Sequence, residues 1–309
     1  MKIIKGKQAA PVRCVLYGVE GIGKTTLASQ FPAPLFLDTE DGTRQLEVDR
    51  VSCPDWRTLQ GAVAELAVEP AGYQTIVIDS IDWAERSLIE FVCKKDGKSS
   101  IEDYGFGKGY VVLAEHVGRF VESLDNLHRA GLHVLLVAHA KVQRTSPPDQ
   151  TDGYDRYELR LSKQVSPIVK EWADALLFCN YRTRLVDGKD GKRKAVGGKD
   201  RVLYAERAAA WDAKNRYGLG EELPMNIEAL APLFTGTGAK AASTDLYDQV
   251  VQYIADAKNV RTLGKIGDRI EQLEADGQLT TEQVAQLMGA INERHEVIQP
   301  SKEVADGVA

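Results

Sequence analysis

The sequence predicts an α/β fold in which a mostly parallel sheet is flanked by helices. Short apolar runs alternate with stretches whose apolar residues recur at helical spacing, which is typical of consecutive βαβ units. The first apolar run leads directly into a glycine-rich loop and then into the start of a helix. A change of composition near residue 235 predicts a second, smaller helical domain.

Five short apolar runs are the predicted parallel strands, at residues 12–17, 35–37, 75–78, 133–138 and 175–179. Helical patterns occur between them, at residues 58–67, 81–92 and 110–129. Residues 180–186 and 201–207 are predicted to pair as strands joined by a basic hairpin tip at 187–200. Turn-forming residues such as Pro147 and Pro148 interrupt the pattern, so we expect residues 141–162 to form a long irregular loop.

The predicted domains are a core over residues 1–234, a linker over 235–245 and an acidic helical domain over 246–309. Small residues and glycines after residue 234 indicate the linker. Helical patterns at residues 246–257, 262–276 and 281–297 predict the second domain, with a frayed tail after Pro300.

Charged residues are unevenly distributed around a formal net charge of −6. Residues 141–216 contain 17 Lys and Arg against 11 Asp and Glu, whereas residues 241–309 contain 6 against 12. A basic central segment is therefore concealed by the average. No apolar run approaches the roughly 20 residues of a membrane span, and the first residues lack the apolar stretch of a secretory signal. We expect a cytoplasmic protein with no membrane partner.

A phosphate-binding loop of the Walker A type is predicted between the first strand and the first helix. Lys24 would neutralise phosphate charge, and the Thr25 hydroxyl would hold Mg²⁺. A glycine-rich turn that ends in Lys-Thr by chance is the alternative, but it does not explain the strand before the loop and the helix after it. ATP and Mg²⁺ are thus the expected ligands. The loop residues are Gly18, Val19, Glu20, Gly21, Ile22, Gly23, Lys24, Thr25 and Thr26.

Three polar residues follow predicted strands and are candidates for the same site. Asp79 would reach the Mg²⁺ water shell from the carboxyl edge of the sheet, or else cap the next helix. Glu40 would orient and deprotonate the attacking water, but a solvated turn residue is an equally good interpretation. His139 would sense the γ-phosphate, although a lone histidine is more often a satisfied structural residue.

Together these motifs resemble the RecA-like recombinase core, and in particular the phage-encoded RecA-like single-strand annealing ATPases, the Sak group. The resemblance covers residues 12–216 and implies a RecA-like P-loop NTPase core. It implies that Glu40 is the catalytic carboxylate, that Asp79 binds the metal, and that His139 replaces a glutamine. It also implies that Lys214 and Arg216 reach the ATP site of a neighbouring subunit.

Residues 141–162 correspond in this resemblance to a DNA-binding loop. Cations with interleaved aromatic residues are typical of single-strand binders. Acidic residues such as Asp152 and Asp155 dilute the charge, so a solvated loop is the alternative. The predicted DNA contacts are Arg144, Tyr154, Arg156, Tyr157, Arg160, Lys163 and Lys170.

The resemblance implies an ATP-hydrolysing protein that binds single-stranded DNA and promotes annealing or strand pairing in phage recombination. It implies a homo-oligomer, ring or filament, with ATP at the subunit interfaces, and a single-strand-binding protein is a further candidate partner. Two alternatives stay open, namely an AAA-type motor or remodelling ATPase acting on protein or duplex DNA, and a small-molecule kinase.

Overall fold

The chain divides into two compact units, residues 1–239 and residues 240–309. The predicted linker at residues 235–245 and the predicted tail after Pro300 lie outside the described residues. The structure is a computed structural model, and the residues it describes are 6, 10–146, 152–187, 193–234, 250, 251, 253–255, 257, 259–275 and 281–298.

The first unit is built on a sheet of ten strands within its described part. They follow the order β10-β8-β7-β1-β5-β4-β2-β3, with β6 paired to β5 and β9 paired to β7. All neighbours from β7 to β3 in this order are parallel, which confirms the predicted fold class. The strands are β1 (Arg13–Gly18), β2 (Pro34–Asp38), β3 (Asp49–Ser52), β4 (Thr75–Asp79), β5 (His133–Thr145), β6 (Tyr154–Leu159), β7 (Ala175–Asp187), β8 (Arg193–Tyr204), β9 (Lys214–Asn215) and β10 (Glu222–Pro224).

Helices lie against this sheet in the first unit and make up the described part of the second. Two 3₁₀ helices, Ile101–Tyr104 and Glu228–Leu233, belong to the first unit. In the second unit, residues 250, 251 and 253–255 are also helical. The α-helices are α1 (Lys24–Ala28), α2 (Trp56–Val68), α3 (Ile81–Lys95), α4 (Lys108–Arg129), α5 (Val165–Trp172), α6 (Val260–Ala275) and α7 (Thr281–Ile298).

The central strands are buried on both faces, which explains their continuous apolar sequences. On one face, α2 contributes Trp56, Leu59 and Val63, which recur at helical spacing and join the larger core cluster. Asp55 fixes the start of this helix, because its carboxylate accepts a hydrogen bond from the Thr58 N–H at 3.0 Å. A second cluster, around Ile22, lies on the other face.

The prediction of an irregular loop at residues 141–162 is wrong for most of the described residues in that range. β5 continues to Thr145 and pairs antiparallel with β6, from Ala140↔Leu159 to Thr145↔Tyr154. We call this pair, residues 140–145 and 154–159, the ribbon. The predicted hairpin tip at 187–200 is likewise mostly strand, since β8 begins at Arg193. In both places strand residues lie next to turn-forming residues in the sequence, so the strands were missed.

No helix among the described residues combines the length and apolar character needed to cross a membrane.

Candidate nucleotide site

The parallel strands bring the candidate residues to one edge of the sheet. β5 lies between β1 and β4, and its register pairs His139 with Gly18. On the next strand pair, Asp79 of β4 is in register with Asp38 of β2. The carboxyl edge of the sheet therefore holds the glycine loop, Asp79 and the turn that contains Glu40 side by side.

The glycine loop has the backbone that its glycines predict. An added Cβ at Gly18 would lie 2.1 Å from the carbonyl oxygen of Cys179 on β7, so no larger residue fits there. Gly21 and Gly23 have φ values of 69° and 101°, in the left-handed region that favours glycine. Gly23 is also the N-cap of α1, which directs the first N–H groups of the helix into the loop.

Lys24 lies inside this loop with only 5% of its surface exposed. Its Nζ donates hydrogen bonds to the carbonyl oxygens of Gly18 at 3.2 Å and Val19 at 3.0 Å. Burial lowers the pKa of Lys24, while nearby carboxylates, including Asp79, act in the opposite direction. The cation is thus held among loop oxygens where phosphate oxygens would be a matching partner.

Asp79 fits a metal ligand. It is 2% exposed, and its Oδ2 atom is buried without a hydrogen-bond partner in the described part of the chain. Burial raises the pKa of Asp79 to about 6, and a hydrogen bond from the Thr25 side chain opposes that shift. Within the described ranges, no three His, Cys, Asp or Glu residues cluster as a metal cage. One carboxylate and one hydroxyl fit Mg²⁺, which takes few protein ligands and completes its shell with water and phosphate oxygens.

The turn after β2 holds Glu40 against the end of β4. The Asp38 carboxylate accepts hydrogen bonds from the four backbone N–H groups of residues 40–43, at 2.7–3.3 Å. The Thr39 hydroxyl donates to the Ser80 carbonyl oxygen at 2.8 Å, and the Ser80 hydroxyl donates to Glu40 Oε2 at 3.2 Å. Glu40 is therefore anchored beside Asp79, unlike a freely solvated turn residue, while its role as a base stays a prediction.

His139 belongs to a buried polar network that the sequence did not reveal. Its backbone N–H and its Nδ1 atom each lie 3.0 Å from a carboxylate oxygen of Asp82, in the first turn of α3. Arg160, just after the ribbon, pairs with the same carboxylate at 3.3 Å and with Glu20 of the glycine loop at 2.9 Å. Burial acts to raise the pKa of Asp82, but His139 and Arg160 outweigh burial and hold that pKa below its usual value.

This network changes the assignment of two residues. Arg160 was predicted to contact DNA, whereas the structure places its guanidinium against the glycine loop. Asp82, which was not among the predicted site residues, is the shared partner of His139 and Arg160. Asp82 and His139 are 57 residues apart, so no local pattern could have revealed the pair.

The predicted DNA contacts separate into exposed and structural residues. Arg144 and Lys163 are exposed, and Tyr154 is half-buried near the described end of the ribbon. The prediction is wrong for Arg156, which is 7% exposed and pairs with Asp212 at 2.5 Å.

Two further residues of that set have structural partners. Lys170 pairs with the same Asp212 carboxylate at 2.6 Å. Tyr157 packs against Phe178, with ring centroids 5.0 Å apart. Distant carboxylates and rings hold these side chains, so composition alone overestimates the DNA-binding charge of the segment.

Lys214 and Arg216 lie away from the glycine loop of their own chain. β9 pairs with the first residues of β7, at Leu176↔Lys214, whereas Gly18 is opposite Cys179. Three strand residues at about 3.3 Å each separate these positions along β7.

Both side chains have partners at that opposite end of the strand. Lys214 Nζ donates to the carbonyl oxygens of Lys170 and Glu171, at 3.3 and 3.0 Å. Arg216 pairs with Asp174 at 2.6 Å. A contact with the site of another subunit stays a prediction.

Arg201 is a site residue that sequence reasoning missed. An added Cβ at Gly23 would lie 2.9 Å from Nη1 of Arg201 and 4.0 Å from the Cε atom of Met225. Arg201 was predicted only to begin a strand. Strand order alone brings it to the glycine loop, and no motif in the sequence reports strand order.

A glycine loop with a buried lysine, a hydroxyl and a buried carboxylate at one sheet edge defines a P-loop nucleotide-binding protein. A family model described as an AAA domain matches residues 10–217, more than half of the chain, and the protein belongs to this family. Membership indicates a nucleotide-hydrolysing P-loop ATPase, usually with Mg²⁺.

A curated relative comes from a prophage. The chain is similar to the "SPbeta prophage-derived uncharacterized protein YorG" of Bacillus subtilis (strain 168), with 22% identity over 242 residues. The match covers 77% of this chain and 67% of the relative. Neither comparison names the RecA-like annealing group.

Proposed function

We propose that this protein is a phage ATPase that acts on single-stranded DNA and promotes annealing or strand pairing in the host cytoplasm. The observation that carries the proposal is the ribbon, whose base, the pair Ala140↔Leu159, lies at the nucleotide site. His139 stands just before it and Arg160 just after it, and both contact Asp82. The prophage origin of the relative supports a phage protein, and the RecA-like resemblance supports single-stranded DNA as the partner.

The proposed reaction is attack of water on the γ-phosphate of ATP. The loop N–H groups and Lys24 bind the phosphates and stabilise the charge that develops during transfer. Thr25 and Asp79 would hold Mg²⁺, which supplies further positive charge to the phosphate oxygens. Glu40, oriented by Ser80, aligns the attacking water and accepts its proton.

DNA binding is coupled to the nucleotide in this proposal through Arg160. Its guanidinium is shared between Glu20 on the glycine loop and Asp82 beneath His139, so displacement of the ribbon alters contacts on both sides. Exposed Arg144 and Lys163 would contact DNA phosphates. We infer that DNA on the ribbon and ATP in the loop influence each other through this arginine.

An assembly with ATP between subunits is the proposed working form. Lys214 and Arg216 are separated along β7 from their own glycine loop, so any role in hydrolysis requires a neighbouring copy. A homo-oligomeric ring or filament would supply that copy.

Steady-state ATP turnover with no DNA, single-stranded DNA and duplex DNA tests the proposal. We expect single-stranded DNA to raise turnover well above the other two conditions. Turnover that no nucleic acid changes would contradict the DNA proposal while leaving the ATPase intact.

The second candidate function is an AAA-type motor or remodelling ATPase acting on protein or duplex DNA. The description of the matched family as an AAA domain favours it. Equal or greater stimulation by duplex DNA in the same turnover experiment would select this candidate.

A further inference from the structure

Two arginines near the nucleotide edge have carboxylate partners. Arg160 pairs with Glu20 and Asp82, and Arg182 pairs with Glu222. Arg201 differs from them, because its exposed side chain forms no ion pair or hydrogen bond with any residue that the structure describes. An arginine without a counter-ion, placed against a phosphate-binding loop, needs an explanation.

The sheet fixes where Arg201 stands. It is in register with Tyr181 on β7, two residues beyond Cys179, which is itself in register with Gly18. The following residues, Val202 and Leu203, are buried and pair with β10, so the backbone at this point is held by strands on both sides. Arg201 therefore reaches the glycine loop from the antiparallel part of the sheet.

The contact with Gly23 shows which part of the loop Arg201 covers. Nη1 is so close that its guanidinium occupies the space a side chain would take at Gly23, where φ is 101°. Gly23 and Lys24 are the point where the loop becomes α1, whose first N–H groups lack intrahelical partners and are available to phosphates. Lys24 Nζ occupies the inner side of the loop, bonded to Gly18 and Val19. Arg201 thus places a second cation beside the loop at Gly23, away from the position of Lys24 Nζ.

We propose that Arg201 is a second phosphate-binding cation, which contacts the polyphosphate of the bound nucleotide from within the same chain. The inference rests on the proposed function, since it takes a nucleotide in the glycine loop as given. A guanidinium matches phosphate oxygens in a bidentate geometry, and it forms charge-assisted hydrogen bonds. Because the loop amides near Gly23 serve phosphates that ADP and ATP share, Arg201 contributes to the affinity for both nucleotides.

Nucleotide binding, measured separately from hydrolysis, tests this role. The full chain is titrated with a fluorescent ADP analogue, which ATP or inorganic tripolyphosphate then displaces. Arg201→Ala should weaken all three about tenfold, the loss expected for a hydrogen bond to a charged group. Arg201→Lys should restore part of the affinity, because it keeps the charge without the planar fork. Arg119→Ala, which removes an exposed arginine on α4, is the matched control and should bind like the wild type.

Two results would overturn the assignment. One is an unchanged affinity of Arg201→Ala for the ADP analogue. The other is weaker ADP binding with unchanged displacement by tripolyphosphate, since the contact would then be with the nucleoside. Melting temperatures without nucleotide check that the variants fold, and Arg201→Gln decides the question if the alanine variant does not. A wild-type chain that binds nucleotide without hydrolysing it would contradict the proposed function alone, whereas one that binds none would overturn both.

Discussion

The two halves of the sheet place their charged residues in opposite ways. In the parallel half, strand ends deliver Lys24, Asp79 and Glu40 to one edge, and one Asp79 oxygen has no described partner. In the antiparallel half and the ribbon, Arg156 and Arg182 are neutralised by the distant carboxylates of Asp212 and Glu222, and Arg201 is the exception. The first arrangement leaves groups available for a ligand, and the second uses them to hold strands together. A local excess of basic residues is therefore a poor measure of binding capacity.

Removing Lys24 should have the largest effect on the parallel half. We expect Lys24→Ala to reduce ATP turnover by about a thousandfold or more and to weaken triphosphate binding, because phosphate charge loses its buried partner. Turnover and binding of an ATP analogue are measured together. Normal ATP turnover in this variant would contradict the assignment of catalysis to the parallel half of the sheet.

A mixing experiment with that variant tests the proposed subunit contact. Lys214→Ala combined with Arg216→Ala should bind ATP but not hydrolyse it. Mixed with Lys24→Ala, it should regain part of the activity, because some interfaces then join an intact loop to intact cations. If mixed assemblies form and remain inactive, the contact between subunits is wrong.

Glu40→Gln should have a smaller effect, of a different kind. We expect turnover to fall about a hundredfold with little change in ATP or Mg²⁺ affinity, since general-base removal affects the chemical step. Pre-steady-state hydrolysis and nucleotide titration separate the two quantities. Wild-type turnover would exclude Glu40 as the general base and leave it a structural residue of the turn.

The sequence was sufficient for the parts that local pattern determines. Glycine spacing located the phosphate loop, and apolar runs located β1, β2, β4 and the start of β5. The sequence was insufficient where contacts between residues far apart in the chain determine the structure. β3 is exposed and charged, so it lacks the apolar signal of a strand. Arg201 reaches the site only through strand order, Asp82 pairs with a histidine 57 positions away, and Arg156 is neutralised by a residue 56 positions away.

The free energy of unfolding of two ribbon variants tests the difference between paired and exposed cations. Arg156→Ala should lower the free energy of unfolding by about 2 kcal/mol, because it disrupts a buried ion pair. The loss stays below the full cost of an unpaired charge, since Lys170 and Arg207 remain beside Asp212. Arg144→Ala, on the exposed strand of the same ribbon, should change stability by less than about 0.5 kcal/mol. Equal effects in chemical denaturation would contradict the division into structural and exposed cations.

Removing Arg144 and Lys163, two exposed cations among the predicted DNA contacts, should have the smallest effect on the enzyme without DNA. Arg144→Ala combined with Lys163→Ala removes two proposed phosphate contacts and leaves the described glycine loop untouched. Arg86→Ala combined with Arg119→Ala is the matched control, because both arginines are exposed on helices.

ATP turnover as a function of single-stranded DNA concentration tests the coupling of the two halves most directly. We expect DNA to stimulate the wild type and the control alike, and the Arg144/Lys163 double variant to need more DNA for the same rate. Its apparent DNA affinity should also depend less on salt, with a slope smaller by about 1.4 for the two lost contacts. A double variant with the DNA dependence and salt slope of the wild type would contradict the proposal that the ribbon binds DNA.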